Sequence, residues 1–296
     1  MRLAVIITGG TILSAPKDGY ISLSQSRRDE LLDLIGGEAE LETFDPFTIL
    51  SEQLDGSTLT ALCEATGDAL EKDYDGIIIL HGTDTLQYSA AALALAYGGA
   101  DAPVVLVSGN YTLDDPRSNG RDNLKYAVEF IKQKIGGVFV SYRNENCLPE
   151  IHLGDRLLPH QSYSDRLEAL EGCFGYFENG VFRRVSEPSR RASLGRIGFS
   201  KSSPVLYMRA YPAILPPRAD GYKAILLETY HSGTLPTENS AFIDFCKNSQ
   251  LPIYVTGVDE RIQYESTAVY SELGLNILPK SSPVYAYISL WQQYSA

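Results

Sequence analysis

The chain has 296 residues, 44% of them apolar, with 25 basic against 37 acidic side chains and a formal net charge of −12. That is the composition of a globular protein able to bury a full core, and its acidic balance repels phosphate backbones and anionic membrane surfaces, which disfavours nucleic acid or a membrane as partner. No stretch approaches the roughly eighteen apolar residues needed to cross a bilayer, and the opening residues lack the long apolar segment and cleavage site of a signal peptide, so the expected localisation is cytoplasmic.

In chain order, the runs LAVII (3–7), GIIIL (76–80), PVVLV (103–107) and GVFVSY (137–142) are continuous and apolar. Such runs suit strands buried on both faces of a parallel sheet. Between them, SQSRRDELLDLI, DGSTLTALCEATGDALEKD, TLQYSAAALALAYG and NGRDNLKYAVEFIKQKI carry helical spacing. The alternation predicts an α/β fold with a doubly wound, mostly parallel sheet over residues 1–183. Residues 184–203 are polar and poor in apolar periodicity, and read as a linker. Beyond them VLYMRAY, AILLETY and PIYVTGV are strand-like, with FIDFCKN and STAVYSELG as short helices, which predicts a second, smaller α/β domain over 204–296.

The four cysteines are scattered without a CxxC pair, and the four histidines show no HExxH or paired-ligand spacing. Neither pattern asks for a metal, and no cofactor is expected.

In an open parallel sheet ligands bind beyond the carboxyl ends of the strands. The candidate exits are Thr8-Gly9-Gly10-Thr11, His81-Gly82-Thr83-Asp84-Thr85, Ser108-Gly109-Asn110 and Thr229-Tyr230-His231-Ser232-Gly233-Thr234. Two of them present glycine followed by threonine. Glycine lets backbone N–H groups approach a ligand as an oxyanion hole requires, and a threonine hydroxyl can attack or donate. A turn plus helix cap, with Thr11 or Thr85 as the capping residue, is the structural alternative.

Together, TGGTI after the first strand and HGTDT about seventy residues later resemble the bacterial-type L-asparaginase family of threonine amidohydrolases. The resemblance implies hydrolysis of L-asparagine to L-aspartate and ammonia, a homodimer or homotetramer, and a small-molecule amino-acid amide as substrate. It places the nucleophile at Thr11, a lid tyrosine at Tyr20, an activating threonine at Thr83 and the partner of the substrate's ammonium at Asp84. Gly10, Gly82 and Gly109 line the substrate, while Ser51 and Glu52 resemble the pair that grips its amino-acid end. Tyr20 as an exposed loop aromatic and Asp84 as a helix cap remain the alternatives.

Three departures stand out. The family's lysine position falls on His160 or Gln161, the segment after PVVLV reads NYTLDDP with Asn119 in place of an aspartate, and YHSGTLP makes Ser232 or Thr234 the contact to a neighbouring subunit's site. His160 is a candidate general base, with a surface loop histidine as the alternative. The ammonia-supplying subunit of tRNA-dependent amidotransferases shares both motifs. A first strand at residue 2 and the acidic charge are expected to set this chain apart from it. A binding protein that kept the pocket and lost turnover is the remaining reading.

Overall fold

The computed structural model describes all residues except 38, 189–192, 215–217, 260, 262–263 and 296. The chain forms two compact units, Met1–Gly198 and Phe199–Ala296. This division lies inside the 184–203 stretch.

In chain order the first unit contains β1 (Arg2–Ile7), β2 (Ser14–Lys17), β3 (Tyr20–Leu23), α1 (Gln25–Gly36), β4 (Glu40–Phe44), α2 (Gly56–Leu70), β5 (Gly76–Leu80) and α3 (Leu86–Tyr97). There follow β6 (Pro103–Val107), α4 (Gly120–Ile131), β7 (Gly137–Tyr142), β8 (Glu150–Leu153), β9 (Gly175–Glu178) and β10 (Val181–Arg184). Eight strands form one sheet in the order β10-β9-β8-β7-β6-β5-β1-β4. Pairing from β4 through β7 is parallel, and β8, β9 and β10 extend the sheet antiparallel.

The apolar strand runs follow from burial on both faces. Leu3, Val5, Ile7, Ile78, Leu80, Val105 and Val107 join Leu31, Ile35, Leu124 and Ile131 of α1 and α4 in one core. The alternate residues Ala4, Ile6, Ile77, Ile79, Val104 and Leu106 are equally buried, on the face that α2 and α3 cover. Helix α2 opens with a capping box in which Asp55 Oδ1 accepts from the Ser57 and Thr58 amides at 2.9 and 3.0 Å. From β1 the chain crosses to β4 on one side and then returns past β1 to β5 on the other. The carboxyl ends of β1 and β5 therefore flank the point where strand order reverses, the crevice in which doubly wound sheets bind ligands.

Beyond the strands read from sequence lie β4, with a half-exposed ELETF pattern, the β2–β3 ribbon, and the short antiparallel strands β8 to β10. Strand β10 ends on Arg184, the first residue of the stretch read as a linker.

The second unit contains β11 (Val205–Arg209), β12 (Ala224–Glu228), α5 (Ser240–Asn248), β13 (Ile253–Thr256), α6 (Glu265–Ala268), β14 (Leu275–Ile277) and α7 (Pro283–Tyr294). Its four strands pair in parallel in sequence order. The segment STAVYSELG is a single helical turn followed by turns rather than a longer helix, and α7 is an addition to the elements expected from sequence.

Candidate active site

The two glycines of TGGTI answer to two different neighbours. Gly9 has φ +113° and Gly10 φ +87°, both in the left-handed region that favours glycine. A Cβ on Gly9 would stand 2.0 Å from the Ile49 carbonyl oxygen, and one on Gly10 would stand 2.2 Å from Cα of Gly82. A Cβ on Gly82 would in turn meet Ser51 Cβ and Oγ at 2.5 Å. TGGT and HGTDT are thus packed backbone to backbone, and the Ser51 side chain packs against Gly82, with no room for a side chain on either glycine.

Hydroxyls and amides lock this arrangement. Thr8 Oγ1 donates to the Leu80 carbonyl at 2.9 Å, which ties the end of β1 to the end of β5 and makes Thr8 structural. The Gly10 amide donates to the Ile49 carbonyl at 3.2 Å. Its N–H is therefore already engaged, whereas the Thr11 and Thr83 amides have no acceptor among the described residues. Thr85 Oγ1 donates to the Ser51 carbonyl at 2.9 Å instead of capping α3. Asp84 is exposed and makes no cap hydrogen bond among the described residues either, so both residues depart from the helix-cap alternative.

Thr11 opens a short 3-10 turn, partly exposed. Thr83 Oγ1 donates 2.8 Å to the Gly109 carbonyl, which joins the β5 and β6 exits. Gly109 packs close to Ile12, the residue after Thr11. Ser51 is buried and Glu52 beside it is exposed. His81 is fixed at both nitrogens: Nδ1 faces the Gly82 carbonyl at 2.7 Å, where it must donate, and Nε2 faces Ser89 Oγ at 2.8 Å. Burial pushes its pKa down to about 4, so the ring is neutral near pH 7.

Tyr20 sits at the start of β3 in a two-stranded ribbon turned by Asp18 and Gly19, both with positive φ. An Asp-Gly pair in that conformation is the signature of a tight two-residue hairpin, so the segment read as a loop is a ribbon. Its ring is 78% exposed and stands open rather than closed on Thr11.

His160 lies edge-on to the Tyr142 ring, centroids 6.4 Å apart, and its Nε2 has no hydrogen-bond partner among the described residues. No hydrogen bond links it to Thr83 or Asp84 there. Asn119 is buried. Its Oδ1 accepts from the Asn110 amide and Asn110 Oδ1 from the Asn119 amide, both at 3.0 Å, while its Nδ2 donates to the Arg143 carbonyl at 2.9 Å. Sequence reasoning marks Asn119 only as a departure; the polar spacing of Asn110, Asn119 and Asn123 after a buried strand is the signal that could have pointed to the clasp.

In the second unit, residues 230–234 form a closed turn. The Tyr230 amide donates to the Thr234 carbonyl at 3.1 Å, the Ser232 and Thr234 hydroxyls are 3.3 Å apart, and Tyr270 Oη donates to the Gly233 carbonyl at 2.8 Å. Among the described residues no three His, Cys, Asp or Glu side chains converge as a metal site.

Residues 2–171 match the family described as Asparaginase, N-terminal. The chain belongs to the asparaginase family. It is 33% identical over 162 residues to the L-asparaginase of Thermococcus kodakarensis, covering 53% of this chain and 47% of that protein. It is 36% identical over 178 residues to a glutamyl-tRNA(Gln) amidotransferase subunit of Pyrobaculum aerophilum, covering 57% and 42%. With the corresponding protein of Methanococcus vannielii the identity is 28% over 281 residues, covering 86% and 64%. The chain thus spans about half the length of the first two relatives. The solved thermostable L-asparaginase from Thermococcus kodakarensis superposes with a TM-score of 0.80 at 24% identity, over 100% of this chain and 93% of that one, a likeness of fold. No helix among the described residues is long and apolar enough to cross a membrane.

Proposed function

We propose that the chain hydrolyses the side-chain amide of a small amino acid, most simply L-asparagine to L-aspartate and ammonia. The observation that carries this reading is the contact of Gly10 with Gly82, which sets Thr11 and Thr83 on adjacent strand exits at the sheet's switch point. In this mechanism Thr11 Oγ1 bonds to the amide carbon, the carbon–nitrogen bond breaks, and ammonia leaves with the hydroxyl proton. Water then cleaves the ester and restores Thr11. The Thr11 and Thr83 amides receive the oxyanion, and Asp84, with Ser51 and Glu52, holds the amino-acid end by charge-assisted hydrogen bonds. Gly10, Gly82 and Gly109 form the backbone walls. Tyr20 closes over Thr11 when the ribbon swings in. His160 takes the lysine's place as base only if its loop, which rests on Tyr142, approaches Thr83. Thr234 serves the site of a neighbouring copy in a homodimer or homotetramer, and no cofactor takes part.

Ammonia release by purified protein from L-asparagine, L-glutamine and D-asparagine tests the reading, with L-asparagine expected to be the best substrate. Absence of ammonia with all three would overturn it. The relatives that are amidotransferase subunits, one of them matched over 86% of this chain, favour a second reading as the ammonia-supplying component of an amidotransferase. That reading requires a partner protein, and glutamine turnover appearing only on its addition would decide for it.

A further inference from the structure

Along the carboxyl edge of the first unit's sheet, the order β4-β1-β5-β6-β7 sets the site residues in a row. Ser51 lies at the β4–β1 side, Thr11 past β1, Thr83 and Asp84 past β5, Gly109 and Asn110 past β6, and Arg143 past β7. If Ser51 and Asp84 hold the amino-acid end, as the proposed amidohydrolase function assigns, the scissile nitrogen points along the row toward β6 and β7. The bond from Thr83 to the Gly109 carbonyl runs the same way.

A cavity of about 220 Å³ opens at that end, lined among others by Asn110, Tyr111, Arg117, Asn119, Arg143 and Asp165. Ammonia, with a volume near the ~30 Å³ of a water molecule, would leave it largely empty. Adjacent strands are about 4.8 Å apart, so β5 to β7 spans ~10 Å, a gap that one amino-acid residue on the amide nitrogen, ~3.5 Å long, closes only together with the length of the Arg143 side chain. The walls are preorganised. The Arg117 guanidinium stacks 4.1 Å over the Tyr111 ring and is held by Asp115 Oδ1 and Oδ2 at 2.9 and 2.7 Å. Asn119, held by Asn110 and the Arg143 carbonyl, forms the floor. Arg143 meets Asp122 through Nε at 2.8 Å, and a guanidinium carries four further N–H donors in a fork that suits a carboxylate.

One of the three sequence departures lines this cavity and the loop of a second reaches it. NYTLDDP contributes Asn110, Tyr111 and Pro116, Asn119 stands where an aspartate is expected, and the loop that follows His160 contributes Asp165. The motifs that match, TGGT, Ser51 and HGTDT, lie at the other end of the row.

We propose that this cavity receives the leaving amine of a secondary amide: an amino acid joined through its α-nitrogen to the substrate's side-chain carbonyl, with its carboxylate on the Arg143 guanidinium. The acyl carbon–nitrogen bond breaks as Thr11 Oγ1 bonds to the carbonyl carbon, and the hydroxyl proton leaves on the nitrogen. Water cleaves the ester, so one water is consumed and two free amino acids are produced.

The test compares L-asparagine, β-aspartyl-glycine and N4-methyl-asparagine as substrates of the purified protein. Glycine release is expected, with KM for β-aspartyl-glycine at least about tenfold below that for N4-methyl-asparagine, which carries the same secondary amide without the carboxylate. Arg143→Ala is expected to raise KM for β-aspartyl-glycine about tenfold more than it raises KM for asparagine or for N4-methyl-asparagine. Should that variant not fold, the comparison of the two secondary amides on the unaltered protein decides alone. Ammonia from asparagine without glycine from the dipeptide overturns the proposal and leaves the amidohydrolase reading standing, as do equal KM values for the two secondary amides. Turnover of none of the three overturns both.

Discussion

Between β1 and β5 the sheet edge is closed by glycine main chain, with Gly10 against Gly82 and the Ser51 side chain against Gly82. Between β6 and β7 the same edge is held by side-chain amides. Asn110 and Asn119 clasp each other, and Asn123 bridges the exits by donating to the Ser108 carbonyl at 2.8 Å and accepting from the Arg143 amide at 2.7 Å. The first construction admits no Cβ, so steric exclusion fixes its residues. The second leaves a cavity whose lining can change while the backbone stays in place, which makes it the end where substrate preference can be altered. The amino-acid end of the proposed site lies on the rigid side and the leaving group on the variable side.

The largest effect should come from the reacting side. Thr11→Ala and Thr83→Ala are each expected to lower kcat by about a hundredfold or more, with thermal midpoints close to the parent's. Wild-type turnover in Thr11→Ala would remove it as nucleophile. Gly10→Ala tests the packing behind the chemistry. Its methyl would sit 2.2 Å from Cα of Gly82 on a backbone at φ +87°, so overpacking of about 1–3 kcal/mol is expected. Activity should fall more than about tenfold and the thermal midpoint by several degrees. A variant of parental stability and rate would show that the two exits are not held together.

On the amide-held side the effects should be smaller. Asn119→Asp keeps the acceptor for the Asn110 amide and loses the donor to the Arg143 carbonyl, setting a carboxylate against a carbonyl oxygen. A destabilisation of about 1–3 kcal/mol is expected from denaturant melts, with only a several-fold fall in kcat. Unchanged stability would mean that the clasp contributes nothing. His160→Ala is expected to cost less than about tenfold in kcat, because in the open arrangement its ring rests on Tyr142 and not on Thr83. A positioned base contributes about 10²–10⁴, so a loss in that range would show that the loop closes and that His160 takes the lysine's role.

What sequence shows of this edge follows the same division. The four buried strands and the helices between them are visible because both faces demand apolar residues, and the switch point follows from their alternation. The glycines mark backbone contact, yet their partners at Ile49 and Ser51 do not show, because those are set by a crossover that no local pattern encodes. Strand β4 hides because ELETF is half exposed and charged, and β8 to β10 hide because each is only four residues long. The cavity could not be read, since the segment 110–119, Arg143 and Asp165 are far apart in the chain and meet only at the edge.

The smallest effect near neutral pH, and the one that compares the two regions by a common probe, concerns two buried histidines. His81 at the β5 exit has both nitrogens hydrogen-bonded, whereas His152 on β8 has no partner for either among the described residues and lies 3.6 Å from Glu150. Burial pushes both pKa values down to about 4 from 6.5, so each ring is neutral in the fold. The unfolded chain binds those protons near the ordinary value of about 6.5. Between about pH 6.5 and 4 it therefore holds up to two more protons than the native state. Stability should be fully present above that window and decline as pH falls through it. His152→Leu, which leaves the β1–β5 contact untouched, should reduce the slope of unfolding free energy against pH by about one proton in denaturant melts at pH 7, 6 and 5. His81→Gln should reduce it by a similar amount and also lower activity, because the grip of Nδ1 on the Gly82 carbonyl is lost with the ring. An unchanged slope in both variants would assign the acid sensitivity to carboxylates instead.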